Sequence, residues 1–174
     1  IGRAVASELA DAGSKVVVNY SQAKDMADSL VGEIKKGGSD AVAVQADVSQ
    51  AGDCQKLFDA GMATFGQVDI LINNAGINRD RMFASMTEED WDLIMAVHLK
   101  GHFCISSHAV HYWRGQSKEG KAVDARIINT SSGAGLQGSI GQSNYAAAKA
   151  GIAALTLNQA AELARYHITA NAVA

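Results

Sequence analysis

The sequence of 174 residues has no proline and only two cysteines, Cys54 and Cys104. These cysteines are far apart and form no CxxC pair, so the sequence indicates neither a disulfide framework nor a zinc knuckle. Such cysteine usage is typical of a reducing compartment. We therefore expect a cytoplasmic location.

An excess of positive charge is also lacking, because 15 lysines and arginines stand against 18 aspartates and glutamates. A net charge of -3 does not favour binding to a phosphate backbone, and we expect no nucleic-acid partner. No apolar run approaches the roughly 18 residues that a membrane span requires, so we expect no membrane partner. The composition, with 48% hydrophobic residues, is that of an ordinary globular domain.

Both ends of the chain lack the features that usually begin or end a fold. Ile1–Ala6 begins directly in an amphipathic helical pattern, without a capping residue or an initiator methionine. Asn171–Ala174 ends within an apolar run that is typical of a strand. We expect the protein to continue beyond both ends.

Short apolar runs alternate with longer helical patterns along the chain. The predicted strands are Lys15–Asn19, Ala41–Gln45, Val68–Asn73, Ala125–Thr130 and Ile168–Val173. The predicted helices are Ala23–Lys36, Ala51–Phe65, Glu88–Val110 and Ser143–Arg165, with a loop over Arg114–Asp124. This alternation predicts an α/β fold, a doubly wound, Rossmann-like parallel sheet with helices on both faces. We expect residues 1–174 to form a single dinucleotide-binding domain, with the first and last strands of the sheet outside this range.

Tyr145 and Lys149 are the strongest candidates for catalysis. Their separation of four residues, near the start of a predicted helix, places both side chains on one helical face. A neighbouring ammonium favours the phenolate form of a tyrosine, which could then exchange protons near neutrality. Ser132 follows a predicted strand, where its hydroxyl could orient a substrate oxygen against the phenol.

Three motifs in this order resemble the short-chain dehydrogenase/reductase family: Asn73-Asn74-Ala75-Gly76, Ser132, and Tyr145-Ala146-Ala147-Ala148-Lys149. The resemblance implies an NAD(P)-dependent enzyme that transfers a hydride between nicotinamide and a ketone or secondary alcohol. In that case Tyr145 donates the proton during reduction, Lys149 binds the nicotinamide ribose, and Ser132 positions the carbonyl. The chain looks most like the 3-oxoacyl-[acyl-carrier-protein] reductases and the 3-hydroxyacyl-CoA dehydrogenase modules, so the implied substrate is a carbonyl compound or an acyl thioester.

The same resemblance implies two groups of cofactor contacts. Ile1 and Gly2 would be the tail of a glycine-rich turn that holds the pyrophosphate. Asp47 and Val48 would bind adenine, although Asp47 has an alternative interpretation as a helix N-cap. The contacts expected in the Asn-Asn-Ala-Gly turn are Asn74, Ala75 and Gly76, whereas Asn73 is expected to brace its strand.

Asn19 bears on the choice between NADP and NAD. A carboxylate at the end of this predicted strand would bind the adenosine ribose and repel a 2'-phosphate, but Asn19 carries none. The sequence therefore favours NADP over NAD.

His98 marks a departure from the family pattern. Many members carry an active-site asparagine in a Val-Asn-Leu run, whereas this chain has Val97-His98-Leu99. A neutral histidine could hold the same water through its two ring nitrogens, and would add a pH dependence. The alternative is a helix histidine that bonds only to a neighbouring carbonyl.

The spacing of His98 with His102, and of His108 with His111, could in principle suit zinc. No HExxH motif or cysteine pair accompanies these histidines, and we expect no metal.

Two further expectations concern the whole protein. The resemblance implies a homotetramer or homodimer formed through the helices around Trp91–Val110 and Ser143–Arg165. The rival to an enzyme is a non-catalytic nucleotide-binding or scaffold protein on the same fold, because a fold does not establish an activity.

Overall fold

Five strands and seven α-helices alternate along the chain in the computed structural model, which describes residues 1–174. They belong to two units, Ile1–Val68 and Asp69–Ala174. All neighbouring strands within each unit run parallel, so the α/β class predicted from the sequence is confirmed.

The first unit contains two strands and three helices. In chain order these are α1 (Gly2–Asp11), β1 (Val16–Tyr20), α2 (Lys24–Lys36), β2 (Ala41–Gln45) and α3 (Ala51–Phe65). Strands β1 and β2 pair in register from Val16 opposite Ala41 to Tyr20 opposite Gln45. Leu30 and Ile34 are four residues apart on α2, and this stripe packs with Ala10 and Ala41 to form the core of the unit.

The second unit contains three strands and four α-helices. In chain order these are β3 (Ile70–Asn73), α4 (Glu88–Ile94), α5 (Gly101–Lys118), β4 (Ala125–Thr130), α6 (Gly133–Gln137), α7 (Ser143–Leu163) and β5 (Ile168–Val173). A π-helical segment, Met95–Lys100, joins α4 to α5, and short 3-10 helices cover Phe83–Ser85 and Ala164–Tyr166.

Strand β4 lies at the centre of the second sheet, between β3 and β5. Its residues alternate between buried and half-buried positions. The largest fully buried apolar side chains of this unit are Ile94, Ile127, Ile152 and Ile168, so two strands and two helices share one core. The ends of β3 and β4 are thereby fixed on a common edge, which carries Asn73 and Thr130.

Within residues 1–174 the strands form two sheets, with the orders β1-β2 and β3-β4-β5. Strand β1 pairs only with β2, and β3 pairs only with β4, because no strand of residues 1–174 hydrogen-bonds to both β1 and β3. That residues 1–174 act as a single domain stays a prediction.

Two sequence-based boundaries were wrong. Helix α5 extends to Lys118, so the predicted loop Arg114–Asp124 is helical in its first five positions. The helix predicted over Glu88–Val110 is interrupted by the π-helical segment. None of the helices is both long enough and apolar enough to cross a membrane.

Candidate active site

Each of the two units holds a separate group of the predicted site residues. Those expected to bind the adenosine and pyrophosphate parts of a cofactor lie in the first unit: Ile1, Gly2, Asn19, Asp47 and Val48. Those expected to act near the reacting atoms lie in the second unit: Asn74, Ala75, Gly76, His98, Ser132, Tyr145 and Lys149.

Tyr145 and Lys149 lie on the first two turns of α7, as their spacing predicted. The Lys149 ammonium nitrogen is 5.5 Å from the centre of the Tyr145 ring. The His98 ring also meets this tyrosine edge to face, with 5.2 Å between the ring centres. The structure therefore gathers a phenol, an ammonium and an imidazole in one place.

Lys149 is buried, and its Nζ donates a hydrogen bond to the carbonyl oxygen of Thr130 at 2.5 Å. Burial disfavours the charged form and lowers the pKa of Lys149 to about 8. The lysine therefore remains mostly protonated at pH 7. Its charge is held at the carboxyl end of β4, next to Tyr145.

Ser132 follows β4 directly and forms the N-cap of α6. Its Oγ accepts a hydrogen bond from the backbone N–H of Ala134 at 3.3 Å. A serine hydroxyl has one hydrogen and two lone pairs, so this bond leaves the hydrogen available to another acceptor. The arrangement suits a group that donates to a substrate oxygen.

Helix α6 approaches α7 closely because Gly135 has no side chain. A Cβ atom at this position would lie 2.6 Å from the Ala150 nitrogen and 2.7 Å from the Lys149 carbonyl carbon. The neighbouring Ser131 also ties β4 to α7, since its Oγ donates to the Lys149 carbonyl oxygen at 2.9 Å. Packing and hydrogen bonding together fix the backbone that carries Lys149.

His98 lies within the π-helical segment and is 2% exposed. Its Nε2 is 3.0 Å from the backbone nitrogen of Ile77 and 2.8 Å from the carbonyl oxygen of Ile77. These two contacts require opposite tautomers, because one ring nitrogen either accepts or donates. Burial, together with the charge of Lys149, lowers the pKa of His98, so the neutral ring predominates at pH 7.

Gly76 leaves room for the His98 ring beside the Asn-Asn-Ala-Gly turn. A Cβ atom at Gly76 would come within 2.5 Å of the His98 Cε1. The third position of the turn, Ala75, and Gly76 itself are exposed, whereas Asn74 is half-buried. Backbone atoms of this turn are therefore accessible to a bound molecule.

Asn73 braces the strand, as expected from the sequence. Its amide nitrogen donates to Ser106 Oγ at 3.0 Å and to Asn129 Oδ1 at 2.8 Å. Asn129 continues this buried network toward α7 through Thr156 Oγ1 at 2.9 Å. The network joins β3, β4, α5 and α7 below the turn.

In the first unit, the predicted residues lie at the start of α1 and at the ends of the two strands. Ile1 is exposed and precedes Gly2, the first residue of α1. Asn19 lies in β1, and its amide nitrogen donates to the carbonyl oxygens of Val44 at 3.3 Å and Ala46 at 3.0 Å. That side chain thus joins the carboxyl ends of β1 and β2.

Asp47 and Val48 follow β2 and are both half-buried. The Asp47 carboxylate accepts a hydrogen bond from the backbone N–H of Ser49 at 2.9 Å, which forms a local turn. The N-cap of α3 is Gln50, so Asp47 does not cap that helix.

The histidine spacings do not produce a metal-binding cluster, since no three His, Cys, Asp or Glu side chains of residues 1–174 are grouped to hold an ion. His102 is buried instead, and burial lowers its pKa to about 4. Neither Cys54 nor Cys104 forms a disulfide, and both are buried.

Two residues of this region were missed by sequence reasoning. Gly135 was overlooked because a glycine in a polar stretch gives no sign of the helix that it contacts. Asn144 was overlooked because it stands beside Tyr145, outside the spaced motif, although it is fully buried. Its complete burial is the signal that marks it in the structure.

Comparisons with known proteins were made over the whole chain. The family model described as short chain dehydrogenase matches residues 1–174. A solved structure of a short chain dehydrogenase from Mycobacterium avium matches with a TM-score of 0.95 and 53% sequence identity. That match covers 99% of this chain and 62% of the solved chain.

Two curated relatives have names that refer to acyl substrates. Hydroxyacyl-CoA dehydrogenase ChsB1 of Mycobacterium tuberculosis is 48% identical over 179 residues, covering 99% of this chain and 56% of the relative. A 3-oxoacyl-[acyl-carrier-protein] reductase of Synechocystis is 44% identical over 174 residues, covering 100% of this chain and 68% of the relative. The chain thus spans little more than half of the first relative's length.

Proposed function

Because the chain belongs to the short-chain dehydrogenase family, we propose that the protein is an oxidoreductase that interconverts a ketone and a secondary alcohol with a nicotinamide cofactor. The observation that carries this proposal is the placement of the Tyr145 ring beside the Lys149 ammonium, on one face of α7. A phenol next to a fixed positive charge suits proton exchange with a substrate oxygen.

The three polar groups have separate roles in the proposed reaction. Tyr145 gives a proton to the carbonyl oxygen during reduction and takes it back during oxidation. Lys149 stabilises the phenolate that forms and offers its ammonium to ribose hydroxyls. Ser132 donates its free hydroxyl hydrogen to the same substrate oxygen, which orients the carbonyl against the phenol.

A positioning role for His98 follows from its contacts. The ring holds Ile77, directly after the Asn-Asn-Ala-Gly turn, and its edge meets Tyr145. A buried, neutral imidazole in this place sets the turn against the tyrosine without exchanging protons near pH 7.

The second unit offers a suitable place for the nicotinamide end of the cofactor. The exposed backbone of Ala75 and Gly76 lies next to the His98 ring, and an added Cβ at Gly76 would collide with that ring. The cofactor would accept or supply the hydride. Asn74, Ala75 and Gly76 would contact it, together with Tyr145 and Lys149.

In the first unit, the proposed contacts are Ile1 and Gly2 with the pyrophosphate, and Asp47 and Val48 with adenine. We favour NADP over NAD because Asn19 brings no carboxylate to the end of β1. Its amide nitrogen is already bonded to Val44 and Ala46, so the preference depends on the missing charge and not on a direct contact.

For the substrate, we propose a 3-oxoacyl thioester in reduction, or the matching 3-hydroxyacyl thioester in oxidation. The names of both curated relatives support an acyl compound with an oxo or hydroxyl group. The segment between Ser132 and Tyr145 also exposes two apolar side chains, Leu136 and Ile140, which suit an acyl chain.

We further propose a homotetramer or homodimer in the cytoplasm. An apolar groove lies between α4, the π-helical segment, α5 and α7, and is lined by Met95, Leu99, Phe103 and Leu155. Phe103 is 57% exposed, and a second copy of the chain would remove it from water. Two buried cysteines that form no disulfide suit a reducing compartment.

A steady-state assay of the full-length protein tests the proposed function. With NADPH or NADH it should reduce 3-oxoacyl-CoA, with the lower dissociation constant for NADPH. Tyr145→Phe should lower kcat by about 100-fold or more, because it removes the proton donor. Tyr166→Phe, outside the site, is the control and should keep wild-type activity. Undiminished reductase activity of Tyr145→Phe would overturn the mechanism.

A further inference from the structure

The Asn144 side chain is fully buried, and all of its hydrogen-bonding hydrogens have partners. Its amide nitrogen donates one hydrogen to the Arg79 carbonyl oxygen and the other to the Asp90 carbonyl oxygen, both at 3.1 Å. Its Oδ1 accepts from the backbone N–H of Tyr145 at 2.7 Å. One amide therefore connects three segments of the second unit.

The bond to Tyr145 has a clear structural purpose at the start of α7. The first N–H groups of a helix lack partners within the helix. The side chain of Gln142, the N-cap of α7, accepts from none of these N–H groups. Asn144 supplies the acceptor for Tyr145, so the first turn, which carries the tyrosine, is held by this side chain.

The other two bonds reach the segment that follows the Asn-Asn-Ala-Gly turn. Arg79 lies three residues after Gly76, and Ile77 between them is held by His98. Asp90 lies in the first turn of α4, where Thr87 Oγ1 accepts its backbone N–H at 3.1 Å. The Asp90 carboxylate also pairs with Arg81, and the hydrogen bonds from Thr87 and Arg81 lower the pKa of Asp90.

We propose that Asn144 is a positioning residue that holds Tyr145 in a fixed position relative to the Asn-Asn-Ala-Gly turn. The inference rests on the proposed function, in which the turn contacts the nicotinamide and Tyr145 the substrate oxygen. Proton and hydride transfer both depend on sub-ångström placement of these groups, and small misplacements cost large factors in rate. The Asn144 amide connects the Tyr145 backbone to the segment that follows the turn.

Two further bonds connect the same segments and should preserve the fold when Asn144 is changed. The backbone N–H of Arg81 donates to the Gly141 carbonyl oxygen at 2.8 Å, and Gln142 Nε2 donates to Asp80 Oδ2 at 3.0 Å. Neither involves Tyr145. Variants of Asn144 should therefore fold and still differ in how the tyrosine is held.

The test compares Asn144→Ala, Asn144→Asp and the control Asn158→Ala in the full-length protein. Asn158 lies on the same helix, is exposed, and bonds only to Ala154 of its own helix. The alanine variant removes all three bonds of Asn144. The aspartate variant keeps the size and the acceptor for Tyr145, but a carboxylate has no hydrogens for Arg79 and Asp90.

Rates are measured per folded, cofactor-binding site, so that loss of folded protein is not counted as loss of rate. We expect kcat to fall by about tenfold or more in both Asn144 variants, while the KM for the cofactor changes by less than about threefold. Hydrogen exchange at the Tyr145 amide should accelerate in Asn144→Ala and stay slow in Asn144→Asp. The control should match the wild type in each measurement.

The outcomes separate this inference from the proposed function. A wild type that reduces no 3-oxoacyl thioester overturns the proposed function. Equal exchange at the Tyr145 amide in wild type and Asn144→Ala shows that Asn144 does not hold this amide, and overturns the inference. An active wild type, with kcat in both Asn144 variants within twofold of it, overturns the positioning role alone. A fall in kcat that is matched in Asn158→Ala also overturns it.

Discussion

At the scale of single residues, His98 pairs incompletely with the backbone of Ile77. The imidazole Nε2 faces both the N–H and the carbonyl oxygen of Ile77, but a neutral ring satisfies only one of them. Its Nδ1 is buried without a hydrogen-bond partner. An asparagine amide offers an acceptor and donors together, so it could satisfy both groups of Ile77.

We therefore predict that His98→Asn keeps kcat within about fivefold of the wild type, since one neutral hydrogen bond contributes about 1 kcal/mol. The pH–rate profile should change little near pH 6.5, because burial lowers the pKa of His98 below its ordinary value and favours the neutral ring there. His98→Leu should lower kcat by about tenfold or more, because it leaves both backbone groups of Ile77 unpaired. His111→Asn, at an exposed position of α5, is the control.

Steady-state rates between pH 5 and 9 check this prediction. If His98→Asn abolishes an acidic limb that the wild type shows, the histidine exchanges protons in the reaction. That result would contradict a purely positioning role.

At the scale of secondary-structure elements, helix α6 is the least expected part of the site. It has only five residues, Gly133–Gln137, and three of them are Gly133, Ala134 and Gly135. It forms because Ser132 caps it and because Gly135 allows contact with the backbone of α7. The cap and the contact place Ser132 beside the helix of Lys149.

Gly135→Ala should therefore destabilise the protein by about 1–3 kcal/mol, since its Cβ would press on the backbone of Lys149 and Ala150. Gly133→Ala on the same helix meets no atom within 4 Å and is the matched control. There the substitution should be neutral or stabilise by about 0.5–1 kcal/mol, because alanine favours helix over glycine. Urea unfolding of both variants measures the difference, and equal midpoints would show that the close approach is unimportant.

The regular elements were predictable from periodicity, whereas the irregular ones were not. The bounds of α3, β4 and β5 agree with the predictions, because each is a run with a clear period and a polar boundary. The segment after Trp113 looks like a loop in the sequence, but a buried Trp113 and the stacking of Arg114 on Tyr166 extend α5 to Lys118. These are tertiary contacts, which local propensity does not contain.

Some residues of the candidate site were predictable from the sequence and others were not. The positions of Tyr145 and Lys149 follow from helical spacing, and Ser132 follows from the end of β4. The π-helical turn around His98 has no sequence signature, and π-turns often occur at functional sites. The links of Asn144 to Arg79 and Asp90 could not be predicted, because these residues are far from it in the chain.

At the scale of the whole molecule, the residues proposed to bind the adenosine part of the cofactor and those proposed to act on the substrate lie in different units. The first unit has a two-stranded parallel sheet and carries the groups proposed for adenosine and pyrophosphate. The second has a three-stranded parallel sheet and carries every group proposed to act on the substrate oxygen. The chain spans 56% of the Mycobacterium tuberculosis relative, so activity must be measured on the full-length protein.

Isotope transfer from labelled cofactor tests the central claim most directly. The full-length protein would be given a 3-oxoacyl-CoA and a reduced nicotinamide cofactor that carries deuterium at both hydrogen positions of C4. We predict a 3-hydroxyacyl-CoA product with deuterium on C3, and a rate at least about 100-fold lower for Tyr145→Phe. A product without deuterium at C3, or label transfer by Tyr145→Phe at the wild-type rate, would contradict hydride transfer assisted by this tyrosine.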